Sequence, residues 1–265
     1  MKIVTLGTSH GVSEKGRYCS SSVLETGDAR YIIDLGAPTD YLFTTKGWKY
    51  DSIRGIFITH MHTDHAGTLP FLVGNLSGKS AVRYIQKREN TPEAMPPVTV
   101  TIPETAGRDA LLVWMKALHS EVDFDDPERP FWSKTVRLQS IEECDHYEDE
   151  NIRVQAIRTE HERDGSYAYD ICAEGKRVLF TGDLHHTFKD FPKVALSEHF
   201  DAIVCENTHY PLEVALPILQ ACKTDRLIFN HLFDPNGDRV TWLEENREKF
   251  PFPISLANDG DEFEI

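Results

Sequence analysis

The chain has no apolar run near the ~20 residues needed to cross a bilayer as a helix, no C-x-x-C pair and no long basic stretch. A helical membrane span is therefore not expected. Its first residues, Met1-Lys2-Ile3-Val4-Thr5-Leu6-Gly7, read directly as a strand, without the charged and apolar regions of a secretory signal. Five cysteines (Cys19, Cys144, Cys172, Cys205 and Cys222) are widely spaced and odd in number. That pattern argues against a disulfide framework and for reduced thiols in a cytoplasmic protein. Lys and Arg are scarce, 28 against 43 Asp and Glu, for a formal charge of −15. Such a balance argues against sequence-independent nucleic-acid binding, which relies on clustered cations. Residues 121–128 and 142–150 hold much of the acidity and read as solvated loops. No linker is obvious, and the Pro-rich piece 91–97 reads as a loop inside one domain spanning 1–265.

What the chain does have is histidine, concentrated in His60-Met61-His62-Thr63-Asp64-His65. This segment follows the β-branched and aromatic run 53–59, which reads as a buried strand. Histidines two apart point the same way where a strand has just ended. Asp64 and His65 then lie in the turn into a short helix, with Thr68 its expected N-cap and Pro70 in its first turn. One tight turn can thus offer two groups of ligands side by side.

Short apolar runs bounded by Gly, Pro, Asp or Asn recur at 2–7, 22–26, 31–35, 53–59, 98–102, 136–140, 152–159, 167–172, 177–181, 201–206 and 226–230. They read as strands. Helical spacing occurs at 104–118, 212–222 and 239–249, with Pro217 expected to kink or shift the second. A final short hairpin is expected from 254–257, the turn signal Asn258-Asp259-Gly260, and Phe263 and Ile265. Together these predict an α/β fold with two sheets sandwiched between helix layers. Three further residues end strands: His161 after 152–159, Asp183 after 178–181, and His231 after 227–230.

With these residues in order, the chain resembles the metallo-β-lactamase superfamily, whose pattern is H-x-H-x-D-H, a single His, an Asp after a strand, and a last His. The resemblance runs the length of the chain and implies the four-layer αβ/βα sandwich. Within that superfamily it looks most like the phosphodiesterase branch, with tRNA 3′-end endonucleases and small cyclic-phosphate phosphodiesterases. Leu6-Gly7-Thr8-Ser9-His10-Gly11, Ser20-Ser21-Ser22-Val23-Leu24-Glu25 and Ile33-Asp34-Leu35-Gly36 carry that likeness. It implies two divalent metal ions: His60, His62 and His161 on one, Asp64, His65 and His231 on the other, and Asp183 bridging. Nitrogen and oxygen ligands without Cys suit Zn first, with Mn or Fe as alternatives. Such a pair lowers the pKa of bound water and clamps attacking and leaving oxygens.

The expected reaction is hydrolysis of a small, or cyclic, phosphodiester, with Asp64 and Asp183 positioning the ions. Alternatives are a lactone, thioester or other ester hydrolase, an RNA 3′-end endonuclease, and a non-hydrolytic metal-binding or redox protein. Arg163 and Arg17 are candidates to hold phosphate, and His10 to touch substrate. The tRNA-processing relatives carry His-Glu-Ala-Thr where this chain has Cys205-Glu206-Asn207-Thr208-His209. Glu206 fits that pattern and is placed with the substrate contacts. Cys205 is a poor acid for an alkoxide, which leaves His185, His186 or His209 to donate the proton. The expected partner is a small-molecule substrate, with no membrane, and a homodimer is compatible with the sequence.

Overall fold

Tyr31 and Ile32 point to opposite faces of one strand, and both are fully buried. Strands apolar on both faces must be covered on both faces, and the topology follows from that need. The computed structural model describes residues 1–77, 97–118, 136–161 and 165–265. The 121–128 stretch, most of 91–97, and Arg163 lie outside the described residues.

One sheet contains β1 (Lys2–Gly7), β2 (Ser21–Thr26), β3 (Ala29–Ile33), β4 (Ile53–Phe57), β5 (Val98–Ile102) and β6 (Val136–Ser140), in that order. The other contains β7 (His146–Glu148), β8 (Ile152–Thr159), β9 (Ser166–Ala173), β10 (Lys176–Phe180), β11 (Ala202–Asn207), β12 (Leu227–Leu232) and β13 (Ile254–Leu256). The last strand, β14 (Glu262–Glu264), returns to pair with β1. Each sheet begins antiparallel and turns parallel, from β3 onward in the first and from β10 onward in the second. Parallel neighbours need crossovers. Helices supply them: α1 (Thr39–Thr45), α2 (Thr63–Ala66), α3 (Leu69–Ser77), α4 (Thr105–Leu118), α5 (Val194–Ser197), α6 (Leu212–Gln220) and α7 (Asp238–Asn246).

Three apolar clusters mark the gaps between layers. Between the sheets lie Ile3, Tyr31, Phe57, Val154, Ile171 and Ile228. Outside the first sheet, Ile32, Ile56 and Val100 meet Phe43, Leu72 and Met115 from its helices. Outside the second, Leu179, Ile203 and Phe229 meet Ala215, Leu219 and Leu243. The order is helix, sheet, sheet, helix, as the sequence predicts, and each buried Leu, Ile or Phe contributes about 1.5–3 kcal/mol.

Some expectations need correction. The closing segment is not a hairpin: β13 pairs in parallel with β12, whereas β14 pairs antiparallel with β1 on the other sheet. The Asn258–Asp261 turn crosses between sheets because Thr5 and Arg17 seize it: Thr5 Oγ1 donates to the Asn258 carbonyl, and Arg17 to Asn258 Oδ1. Residues 142–150 are not merely solvated either. They include β7, and Asp149 accepts the hydroxyls of Tyr31 and Tyr147 at 2.6 Å each. Thr68 precedes α3 as expected, but its hydroxyl donates to the Leu35 and Ala37 carbonyls. Pro217 lies within α6, which runs on to Gln220.

Candidate metal centre

The two sheets bring their strand ends together at one edge. From the first, the chain leaves β4 through Thr59 and His60, and His62 occupies the N-cap position of α2, which carries Asp64 and His65. The loop after β3 presses onto α2: Leu35 N donates to the His65 carbonyl at 2.6 Å. Gly36 makes this approach possible, since a Cβ there would lie 1.8 Å from the Asp64 carbonyl oxygen. From the second sheet come His161 just beyond β8, Asp183 beyond β10 and His231 within β12. His231 has φ 53° and Asp34 φ 61°, left-handed values uncommon for such residues. Backbone strain of this kind collects at functional sites.

Two triads face each other across Asp183. Ligand atoms of His60, His62 and His161 lie within 4.8 Å of one another, and so do those of Asp64, His65 and His231. His60 Nε2 and His62 Nδ1 are 3.0 Å apart. Asp183 Oδ2 is 3.7 Å from His60 Nε2, 3.7 Å from His161 Nε2 and 3.2 Å from His231 Nε2; its Oδ1 is 3.4 Å from His65 Nε2. Asp64 Oδ2 stands 3.4 Å from His65 Nε2 and 3.9 Å from His231 Nε2, and accepts the Gly11 N–H at 2.8 Å.

The donor set fits metal ions. Among the described residues, His65 Nε2, His161 Nε2 and Asp183 Oδ1 are buried without a hydrogen-bond partner, an arrangement costly unless something else satisfies them. Their far sides are held. His65 Nδ1 donates to Asp34 Oδ2 at 2.7 Å, and Asp34 Oδ1 accepts the Thr59 N–H at 2.8 Å. His231 Nδ1 lies 2.7 Å from Ser20 Oγ, and His161 Nδ1 donates to the Leu184 carbonyl at 3.3 Å. Partners of this kind fix the ring and turn the other nitrogen inward.

The charges divide accordingly. Burial opposes ionisation of Asp183, but the charges of His231 and His65 outweigh it and hold its carboxyl well below the usual range. Asp64 is likewise pulled down against its burial by His65 and His231. Burial also opposes a charged His65, yet Asp183 and Asp34 raise its pKa. Burial, with neighbouring His65, lowers that of His60, and burial lowers that of His161.

Of the proton-donor candidates, His209 is the one the structure places in the cluster. Its ring centroid lies 4.4 Å from that of His161 and 5.5 Å from that of His231. Its Nδ1 is 3.0 Å from Glu206 Oε2. Burial works against its charge, but Glu206 and Asp183 prevail and raise its pKa. His185 and His186 fall outside the ligand groups: the His185 backbone N–H donates to Asp190, its Nδ1 lies 2.8 Å from Thr187 Oγ1, and the two rings meet at a tilt with centroids 4.0 Å apart. Cys205 is fully buried on the helical side of β11, its thiol 3.3 Å from the Tyr210 hydroxyl and its pKa pushed up by burial.

Glu206 differs from the substrate contact expected of it. It is buried, with Oε1 accepting the Leu184 N–H and Oε2 accepting from Thr208 and His209, so both oxygens are engaged inside the protein. Arg17 is tied to Thr8, Ala257 and Asn258. The His10 ring packs at a tilt on exposed Phe233, with centroids 4.0 Å apart, and lies 6.3 Å from that of His231. Asp34, Ser20 and Thr59 carry roles that the sequence reading did not assign. An Asp ending a strand just before Leu-Gly was the available signal for the first.

No described helix is long and apolar enough to cross a membrane. Human tRNase Z, short form (ELAC1), superposes with a TM-score of 0.70 at 20% identity, covering 100% of this chain and 99% of that one. A diphosphatase from the PhnP family superposes at 0.65 with 17% identity, covering 100% of this chain and 97% of its own. In sequence, Ribonuclease Z of Pseudomonas putida (strain GB-1) is 28% identical over 165 residues, 61% of this chain and 44% of that enzyme. The chain spans less than half the length of the curated relatives it first matches. The fold is the metallo-β-lactamase fold, that of YhfI from Bacillus subtilis, which superposes with a TM-score of 0.69 at 14% identity and covers 99% of each chain. Residues 1–211 match the family described as anti-Pycsar protein Apyc1, and the chain belongs to that family.

Proposed function

We propose that the protein is a binuclear metal-dependent phosphodiesterase acting on a small or cyclic phosphodiester. The observation that carries this reading is the pair of triads around Asp183, with buried nitrogen and oxygen atoms that no described residue hydrogen-bonds. His60, His62 and His161 would hold one ion, Asp64, His65 and His231 the other, and Asp183 would reach both. Once bound, such ions polarise phosphoryl oxygens and activate water at neutral pH. Zn is the first choice for this donor set, with Mn and Fe as alternatives.

The remaining chemistry belongs to the protein. Asp34, Thr59 and Ser20 orient the imidazoles, and His10 and Phe233 form one wall of the site. Glu206 holds Nδ1 of His209, leaving Nε2 to pass a proton to the departing oxygen. Supporting a phosphodiester is the company the chain keeps, a diphosphatase and ribonucleases by name. The second reading, an RNA 3′-end endonuclease, is favoured by the tRNase Z superposition and opposed by the charge of −15. A single domain over residues 1–265 in a cytoplasmic setting completes the proposal.

The test is hydrolysis of bis(p-nitrophenyl) phosphate after loading with Zn, Mn or Fe(II), with Asp64→Ala as the blank and a tRNA precursor as second substrate. Metal-dependent release absent from the blank supports the phosphodiesterase. Cleavage of the precursor at a lower protein concentration would favour the nuclease. No release with any metal, despite bound ions, sends the search to lactones and thioesters.

A further inference from the structure

Arg239 is half-buried in the first turn of α7, and its guanidinium reaches back to the segment that carries His209. Nη1 donates to Asn207 Oδ1 at 3.0 Å, while Nη2 donates to the carbonyl oxygens of Thr208 at 2.8 Å and Tyr210 at 2.7 Å. These acceptors bracket His209 in the chain. The helix end is anchored in turn, because Asp234 accepts the backbone N–H groups of Arg239 at 3.0 Å and Val240 at 2.9 Å.

From the site side, Glu206 Oε2 accepts the N–H groups of Thr208 and His209, both at 3.0 Å. Thr208 Oγ1 donates to the His231 carbonyl and accepts the Phe233 N–H at 2.9 Å. Residues 207–210 are therefore gripped from both sides, by a carboxylate within and a guanidinium without. Lysine could not replace that outer grip, since its single ammonium lacks the planar fork that meets several acceptors at once.

We propose that Arg239 is a positioning residue for proton donation, fixing the backbone on either side of His209 so that Nε2 is presented to the leaving oxygen. This rests on His209 being the donor in the function proposed above. The water oxygen forms the new P–O bond and gives up a proton to solvent as the bond to the leaving oxygen breaks. That oxygen keeps the bonding pair and takes the proton from Nε2, and the neutral imidazole regains one from solvent. Displacing the ring, with every assigned metal ligand itself left unsubstituted, slows chiefly the departure of groups that need protonation.

Metal-loaded wild type, Arg239→Ala, Arg239→Lys, His209→Ala and the Arg239→Ala/His209→Ala double variant are compared on alkyl aryl phosphodiesters. The leaving groups run from p-nitrophenol to unsubstituted phenol, and bound metal and melting temperature are recorded for each. Arg239→Ala should lose about 10²-fold in kcat on the phenyl ester and about threefold on the p-nitrophenyl ester, with metal content unchanged. Arg239→Lys should recover little, added guanidinium should restore part of the phenyl-ester rate to Arg239→Ala, and the double variant should be no worse than His209→Ala. A steeper leaving-group dependence in His209→Ala but not in Arg239→Ala overturns the role of Arg239 alone. Should His209→Ala keep the wild-type dependence, the donor assignment fails, and the role of Arg239 with it.

Discussion

Asp34 Oδ2 accepts a 2.7 Å hydrogen bond from Nδ1 of His65, a residue it meets from the neighbouring strand end. The bond fixes the tautomer and aims Nε2 at Asp183 and Asp64. Asp34→Ala should therefore weaken the affinity for one ion by about 10–100-fold, the range for lost partners of metal-ligating histidines. Competition with a chromophoric chelator would measure it. Two ions retained at wild-type affinity would refute the role given to Asp34.

Asp183 is the residue whose oxygens approach both triads. In Asp183→Ala, bound metal and hydrolysis should disappear together while near-ultraviolet circular dichroism stays native. A variant that keeps full activity would mean the site is wrongly assigned.

In the metal-free protein, His209 has a pKa raised above 6.5 by Glu206 and Asp183, against its burial. The folded state then binds the proton more tightly than the unfolded chain. The stability this adds is fully present below the unfolded value and lost as pH rises through the folded one. Titration of the ring by nuclear magnetic resonance should show the raised value, and Glu206→Gln should bring it back toward normal. An unchanged titration in Glu206→Gln would sever the two residues.

Gly36 supplies a purely steric prediction. The clash of an added Cβ is with backbone, the Asp64 carbonyl at 1.8 Å, so no side-chain rotation relieves it. Gly36→Ala should cost about 1–3 kcal/mol or more and reduce metal binding, since α2 must move. Thermal unfolding with and without metal would record both effects.

The layered fold was legible because strands buried on both faces make short apolar runs such as Tyr31–Ile33, or runs such as Val98–Ile102 in which buried threonines alternate with Val and Ile. His60 to His65, His161, Asp183 and His231 were legible because each lies just past or near the end of a strand, His231 one residue inside the end of β12. What stayed hidden depends on tertiary partners. Ile254 and its neighbours carry the same signal whether they close a hairpin or extend another sheet, and partners distant in sequence, Thr5, Thr8, Arg17 and Tyr18, decide the matter. Glu206 looked like a site carboxylate in sequence, and the backbone amides that fill its oxygens are invisible there. Neighbouring histidines at 185, 186 and 209 could not be told apart until the turn at Asp190 sent the first pair away.

The ligands come from strand ends of both sheets, and His60 and His231 are separated by most of the chain. Contacts so distant in sequence form late in folding. A nascent or half-folded chain therefore cannot bring the two triads together. Under the function proposed above, catalytic competence would be a readout of completed folding, and bound metal, by favouring only the finished state, would fasten the two halves to each other.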